Sequence, residues 1–422
     1  MDLGNSVAAL RRIRGWTQEE LAERSGLSVR TIRNVELGWV GNPRQSSVHV
    51  LLQALEVDRA NRNDSSAVSG PGRWRGLPPP DQPIIGMRVQ LEELARVVRD
   101  GRLTTFLGPG GVGKTRIALG VAANVAPAYR DGVAVVELGD ISAEVPGTPP
   151  PTATVLHRAR KLINTGNSSI NADPASPDCY PDADLLLILD NAEHLPSAVA
   201  AATKELLSSY PRVQVLITTR RPLTERLGVS REIRPLAVEP SSDGDSAYPP
   251  AVELVLRRAM SGSPAAVDPA HDIQGIMELC RRLGGSPRAL EFAAQRLRTI
   301  PVRTLLAAGP ALGMLRTNDH SLLPHQRSLA TSIRWSIGLL TEEHRWLLGR
   351  IARLPIVEFS LDRVLDTAAS VDRDAGSVLA LFSDLVDNSL VTAGRDRLYE
   401  YRLSPYVREV VCADAKLQPE SR

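Results

Sequence analysis

Four short runs of apolar and β-branched residues punctuate the middle of the chain: LTTFLG, GVAVVEL, LLLILD and VQVLITT. Each has the length of a buried strand, and helix-period segments separate most of them. This alternation predicts a parallel sheet with helices packed on its faces, occupying residues 84–240. Ahead of it, residues 1–60 are patterned as short helices. They end in NRNDSSAVSGPGRWRGLPPPDQP, residues 61–83, whose Pro, Gly, Ser and Asn content reads as a linker. Inside the α/β stretch, residues 142–183 (EVPGTPPPTATV, then NTGNSSINADPASPDCYPDAD) read as a mobile insertion around one short helix near HRARKLI. Helical periodicity resumes over residues 248–310 and again from residue 326. A strand-turn-strand pattern, SLVTAGRDRLYEYRL, and a last helix carry this final region to residue 415. No internal repeat is evident.

Composition changes this picture little. A chain of 422 residues with 43% apolar residues has room for about three domains and their cores. Cys179, Cys280 and Cys412 are too scattered for a disulfide framework or a zinc site. No signal pattern opens the chain and no apolar run approaches a membrane span, so a cytoplasmic protein without membrane contact is expected.

The segment TQEELAERSGLSVRTIRNVELG, residues 17–38, carries specific punctuation. Thr17 with Glu20 forms a capping box, Gly26 breaks the first helix, Ser28 caps the second and Gly38 ends it. Two short helices joined by a tight Gly-containing turn form a helix-turn-helix, whose second helix enters the major groove of double-stranded DNA. With LRRIRGWTQEELAERSGLS ahead of the second helix, the segment resembles the lambda repressor-like (XRE) family. The resemblance implies that Val29, Arg30, Arg33 and Asn34, just past Ser28, face base edges, while Gln18 and Arg44 grip phosphate. Arg suits guanine and Asn suits adenine in bidentate geometry. Residues 1–58 nevertheless hold seven Arg against seven Asp and Glu. Phosphate attraction supplies most nonspecific affinity, so one neutral copy should bind weakly. Joining copies adds on the order of 10² to 10⁴ in avidity, which makes assembly a means of controlling DNA occupancy.

Within the α/β stretch, TTFLGPGGVGKTRIAL places a strand before GPGGVGKT and a helix after it. That is the context a phosphate loop requires. Backbone N–H groups of Gly108, Gly110, Gly111, Val112 and Gly113 converge on the phosphates, with Arg116 just beyond. Lys114 reaches the β and γ oxygens, and Thr115 binds Mg2+. LLLILD delivers Asp190 to the same metal from a strand end. The tip of VQVLITTRR presents Arg220, which can reach a γ-phosphate.

Together with CRRLGGSPRALEFAAQRL, these motifs are similar to the NB-ARC module of STAND-class ATPases, over residues 84–415. The resemblance implies a multidomain chain: an α helix-turn-helix domain, an α/β P-loop NTPase with a parallel sheet, a helical domain and a winged-helix domain at residues 326–415. It further implies that Ile85 and Gly86 belong to the nucleotide entry motif and that Pro287 packs near the adenine. Three positions depart from the family pattern. Met87 stands where an Arg is usual, GSPR replaces GLPL, and Leu403, Ser404 and Pro405 occupy the place of the usual MHD-like element.

The next residue after Asp190 is Asn191, which cannot take a proton from water. Glu193 is then the one nearby acid, able to orient water or to sit as a solvated turn acid. Hydrolysis, if any, is expected to be slow, on the order of 10⁻⁴ to 10⁻² s⁻¹. These features imply an ATP/ADP-switched, DNA-binding transcriptional regulator that forms a homo-oligomer in its ATP state and answers to a protein or small-molecule inducer. The alternatives are a turnover ATPase or small-molecule kinase with a DNA-binding head, and a defence or signalling scaffold.

Overall fold

The computed structural model describes residues 11, 16–25, 29–36, 73–144, 147–165, 181–223, 228–239, 247–261, 267–307, 312–317, 327–355, 358–369, 374–393 and 400–413. The chain divides into two compact units, one of residues 1–68 with 318–324 and one of residues 69–317 with 325–422.

Two helices of the first unit are described, α1 (Gln18–Ser25) and α2 (Val29–Glu36). The capping box forms at the start of α1: Glu20 N–H donates to Thr17 Oγ1 at 3.1 Å and Thr17 N–H donates to Glu20 Oε2 at 2.7 Å. Both bonds satisfy amides that a helix start would otherwise leave open. Leu21 of α1 and Ile32 of α2 are fully buried. The Arg11 guanidinium reaches Glu36 with two bonds, at 2.7 and 3.0 Å, tying the chain ahead of α1 to the end of α2.

The second unit is built on a six-stranded sheet. Its strands are β1 (Trp74–Arg75), β2 (Leu103–Leu107), β3 (Val133–Glu137), β4 (Leu186–Asp190), β5 (Gln214–Thr219) and β6 (Val229–Glu232), in the order β1-β3-β4-β5-β2-β6. Every pairing is parallel. Strand periodicity then sorts the side chains. Phe106, Val133, Val135, Leu186, Ile188 and Leu216 face α3 (Arg88–Asp100) and α4 (Lys114–Val125). Their alternates, including Ala134, Val136, Leu187, Val215 and Ile217, face α5 (Thr152–Asn164) and α6 (Pro196–Ser209). Burial on both faces explains why these strands read as continuous apolar runs.

Two expectations need correction here. The linker expected at residues 61–83 includes β1, whose Trp74 pairs in register with Val133. Buried Arg75 fixes that edge by donating to the carbonyls of Leu162 at 2.9 Å and Asp131 at 2.8 Å. Two residues are too few to show a strand period. Within the insertion expected at residues 142–183, the helix expected near HRARKLI is present as α5, but it is 13 residues long and buries Val155, Leu156, Ala159 and Ile163 against the sheet. It is the crossover between β3 and β4; residues 166–180 of that segment lie outside the described residues.

After the sheet come α7 (Pro250–Met260), α8 (Pro269–Arg282), α9 (Pro287–Leu297) and α10 (Val302–Ala307). The last region holds α11 (Leu329–Gly338), α12 (Glu342–Ala352), α13 (Leu361–Ala369), α14 (Ala375–Asp387) and α15 (Pro405–Ala413). With them lies a small antiparallel sheet of β7 (Glu358–Ser360), β8 (Val391–Ala393) and β9 (Glu400–Leu403), ordered β7-β9-β8. One continuous apolar core runs through both regions, from Ala251 to Val411. Among the described residues no helix is long and apolar enough to cross a membrane.

Gly284 and Gly285, between α8 and α9, both take left-handed backbone, with φ of 61° and 67°. A Cβ on Gly284 would meet nothing within 4 Å, whereas one on Gly285 would stand 2.1 Å from the Leu236 carbonyl oxygen. Gly284→Ala should therefore cost only the backbone penalty of roughly 1–2 kcal/mol. Gly285→Ala should cost at least twice as much, as read from urea unfolding midpoints.

Candidate functional site

The carboxyl ends of β2, β4 and β5 meet at the amino terminus of α4, where ligands of open α/β sheets gather. From Leu107 the chain turns through residues 108–113 into Lys114, with Gly111 and Gly113 at φ of 81° and 98°. The loop is crowded from outside. A Cβ on Gly110 would lie 2.5 Å from an Arg220 nitrogen and 2.8 Å from Ser332 Oγ. One on Gly111 would lie 2.8 Å from Arg288 Cβ, and the Gly111 carbonyl accepts the Arg288 N–H at 3.1 Å. Glycine here serves close approach by the β5 tip, α9 and α11.

Lys114 is buried and donates to the carbonyls of Gly108 at 2.8 Å and Pro109 at 3.1 Å. Burial lowers its pKa to about 8, against the opposing pull of Glu193. Asp190 Oδ1 accepts from Thr115 at 2.8 Å and from Thr218 at 2.5 Å. Asn191, itself in left-handed backbone at φ 62°, donates its side-chain amide to Asp190 Oδ2 at 3.0 Å. Burial raises the Asp190 pKa, while the two threonine bonds pull it back. Thr115 and Asp190, expected to share a metal, are thus in direct contact, and Thr218 joins them because β5 lies between β2 and β4.

Arg220 and Glu193 form a buried ion pair at 2.8 Å, with side-chain exposures of 8% and 2%. Burial alone would raise the Glu193 carboxyl, but Arg220 and Lys114 together hold it below the usual range. Glu193 is therefore not a solvated turn acid. The far side of the Arg220 guanidinium donates to the Ser332 carbonyl at 3.0 Å and to Ser336 Oγ at 2.6 Å, both on α11. One side chain thus joins the β5 tip, the β4 loop and the last region of the chain, directly over Gly110. The two serines, four residues apart on one helix face, carry no motif and went unmarked in the sequence.

Beside the loop lies a cavity of about 360 Å³, within the usual ligand range of about 300–1,000 Å³. Its walls include Ile85, Val112, Gly113, Arg116 and Pro287, five of the residues expected around a nucleotide. Leu236 and Leu254 add apolar surface; Arg258 and Glu291, paired at 3.1 Å, add a charged rim. Gly86 is not among its lining residues; at φ 64° it abuts Pro250 at the start of α7, where a Cβ would come within 2.3 Å.

In the first unit, Gln18 donates its side-chain amide to Glu36 at 2.7 Å, so that group is held within the unit. Arg33 is exposed on α2 and Val29 is half-buried at its start. Arg30 and Asn34 belong to the same helix, but their side chains are not among those described; Ser28 and Arg44 lie outside the described residues.

Removing either member of the buried pair leaves its partner's charge uncompensated. Arg220→Ala and Glu193→Ala should each cost about 3–5 kcal/mol. The double variant should fall well short of their sum, a coupling that a double-mutant cycle on guanidinium unfolding would measure.

A helix-turn-helix family model matches residues 7–60. The chain is 35% identical over 328 residues to Rv0890c of Mycobacterium tuberculosis, whose name places it among the HTH-type transcriptional regulators; the match covers 74% of this chain and 33% of that protein. The chain thus spans about a third of the length of that relative. The uncharacterized protein Rv0894 of the same organism is 30% identical over 329 residues, covering 77% of this chain and 79% of that one. The Walker-type ATPase of Pyrococcus abyssi has a similar fold, with a TM-score of 0.54 and 16% identity over 79% of this chain and 98% of its own. By its identity and coverage with Rv0894, the chain belongs to that mycobacterial protein's family, carrying a helix-turn-helix segment and a Walker-type ATPase fold.

Proposed function

We propose that the chain is a DNA-binding transcriptional regulator switched by ATP and ADP, in which the nucleotide sets domain closure and self-assembly. The observation that carries this reading is the position of Arg220, held between Glu193 and α11 directly over the Gly110 backbone. A γ-phosphate on the loop is an anion competing for that guanidinium. Drawing Arg220 toward it removes the bonds to Ser332 and Ser336 and frees α11.

The residues suit the group. Lys114, now turned onto two loop carbonyls, is a buried cation for which phosphate oxygens are better partners. The amides of the loop and the start of α4 supply donors and a positive dipole end. Thr115 and Asp190, already in contact, would hold Mg2+, which when bound offsets the phosphate charge. The cavity between Ile85, Val112 and Pro287 would take the purine. The segment of residues 7–60 would read double-stranded DNA, and the names of relatives such as Rv0890c support that role. Its charge balance makes a single copy a weak binder, so assembly in the ATP state raises occupancy by avidity. A protein or small-molecule inducer would bias the same closure.

ATP-loaded protein should sediment as a larger species and shift operator DNA at lower concentration than ADP-loaded protein; equal mass and equal affinity in the two states would refute the switch. Ser336→Ala deletes one bond to a charged group, about 1.5–3 kcal/mol. It should raise the assembled fraction of ADP-loaded protein by tenfold or more.

A further inference from the structure

The deeper question at this site is which residue handles water. We propose that Glu137 is the acid that orients the attacking water in slow hydrolysis of the bound triphosphate, in place of Glu193; this rests on the nucleotide reading above.

Sheet geometry carries the assignment. β3 and β4 run parallel with Glu137 in register with Asp190. Val133 and Val135 on β3, like Leu186 and Ile188 on β4, belong to the core beneath α4. A strand alternates faces residue by residue, so Glu137 and Asp190 both project toward the face of α4, at neighbouring strand ends. Glu193 Oε1 is held by Arg220, and the side chain is shut off from solvent, with 2% of it exposed. Glu137 is exposed, and its carboxylate has no hydrogen-bond or ion-pair partner among the described residues.

Its backbone, by contrast, is pinned. Arg158 donates to the Glu137 carbonyl at 3.0 Å while gripping Asp140 through two bonds, at 2.6 and 2.9 Å. The next amide, Leu138 N–H, donates to the Asp190 carbonyl at 3.0 Å. A free carboxylate on a fixed backbone is what positioning a water requires.

In the step assigned to it, Glu137 accepts a proton as the water oxygen bonds to the terminal phosphorus. The bond from that phosphorus to the bridging oxygen breaks, and its electron pair leaves on the diphosphate. The proton then passes from Glu137 to the released phosphate.

The test compares full-length wild type, Glu137→Gln and Glu193→Gln by calorimetric MgATP binding, single-turnover cleavage and the nucleotide found in purified protein. Glu137→Gln should bind MgATP within threefold of wild type, cleave it about 10²-fold more slowly, and copurify with more ATP relative to ADP. Glu137→Gln cleaving at the wild-type rate, or wild type binding MgATP without cleaving it, would overturn the assignment while leaving the nucleotide reading intact. Wild type failing to bind MgATP would overturn both.

Discussion

The second unit depends on one side chain having to satisfy two places at once. Arg220 ends a buried strand, so its guanidinium leaves the sheet with no water to solvate it and must find partners in protein. Glu193 supplies the countercharge from the loop after β4, and α11 supplies a carbonyl and a hydroxyl. Because the pair is buried, neither group can be lost alone without leaving a bare charge in the interior. This gives the contact its leverage: the β5 tip, the phosphate loop and the last region of the chain are compatible only in arrangements that keep Arg220 paired.

Strand order makes that convergence possible. β5 lies between β2 and β4, so the tip carrying Thr218 and Arg220 stands between the loop of Lys114 and the carboxylate of Asp190. Thr218 then bonds Asp190 on the α4 face, and Thr219, one residue on, turns to the other face and bonds the Arg221 carbonyl. Had β5 been an edge strand, Arg220 would reach neither Gly110 nor α11. The single apolar core running from Ala251 to Val411 extends the coupling. That core holds residues of both α11 and α9, and the first turn of α9 bonds the phosphate loop through Arg288 and Gly111.

Much of this was legible from residues alone, where the signal is local. The four internal strands declare themselves as apolar runs, the capping box as Thr17 with Glu20, and the phosphate loop as glycines between a strand and a helix. What escaped was whatever depends on a partner distant in sequence. β1 is two residues long and is a strand only because Val133 lies beside it. Glu193 reads as a surface acid until Arg220 folds over it, and Ser332 and Ser336 look like ordinary helix serines until they accept that guanidinium. Glu137 closes an apolar run and reads as its boundary. Its interest comes from parallel register with Asp190, which no local pattern contains.

The energetics of the proposed switch can be bounded from these contacts. Moving a population from 1:99 to 99:1 takes about 5.5 kcal/mol. The ion pair with Glu193 joins two parts of the α/β region, so parting α11 from that region does not by itself break it, and it is left out of the difference between closed and open forms. The bonds from Arg220 to the Ser332 carbonyl and the Ser336 hydroxyl do contribute, each worth about 1.5–3 kcal/mol as bonds to a charged group. Together they come to roughly 3–6 kcal/mol, comparable to the whole requirement. On the proposed reading, a γ-phosphate that draws Arg220 away would move the closure equilibrium through most of its range. The proposed inducer would then need to supply only the remainder, at most a few kcal/mol, which a modest binding site on either state can provide.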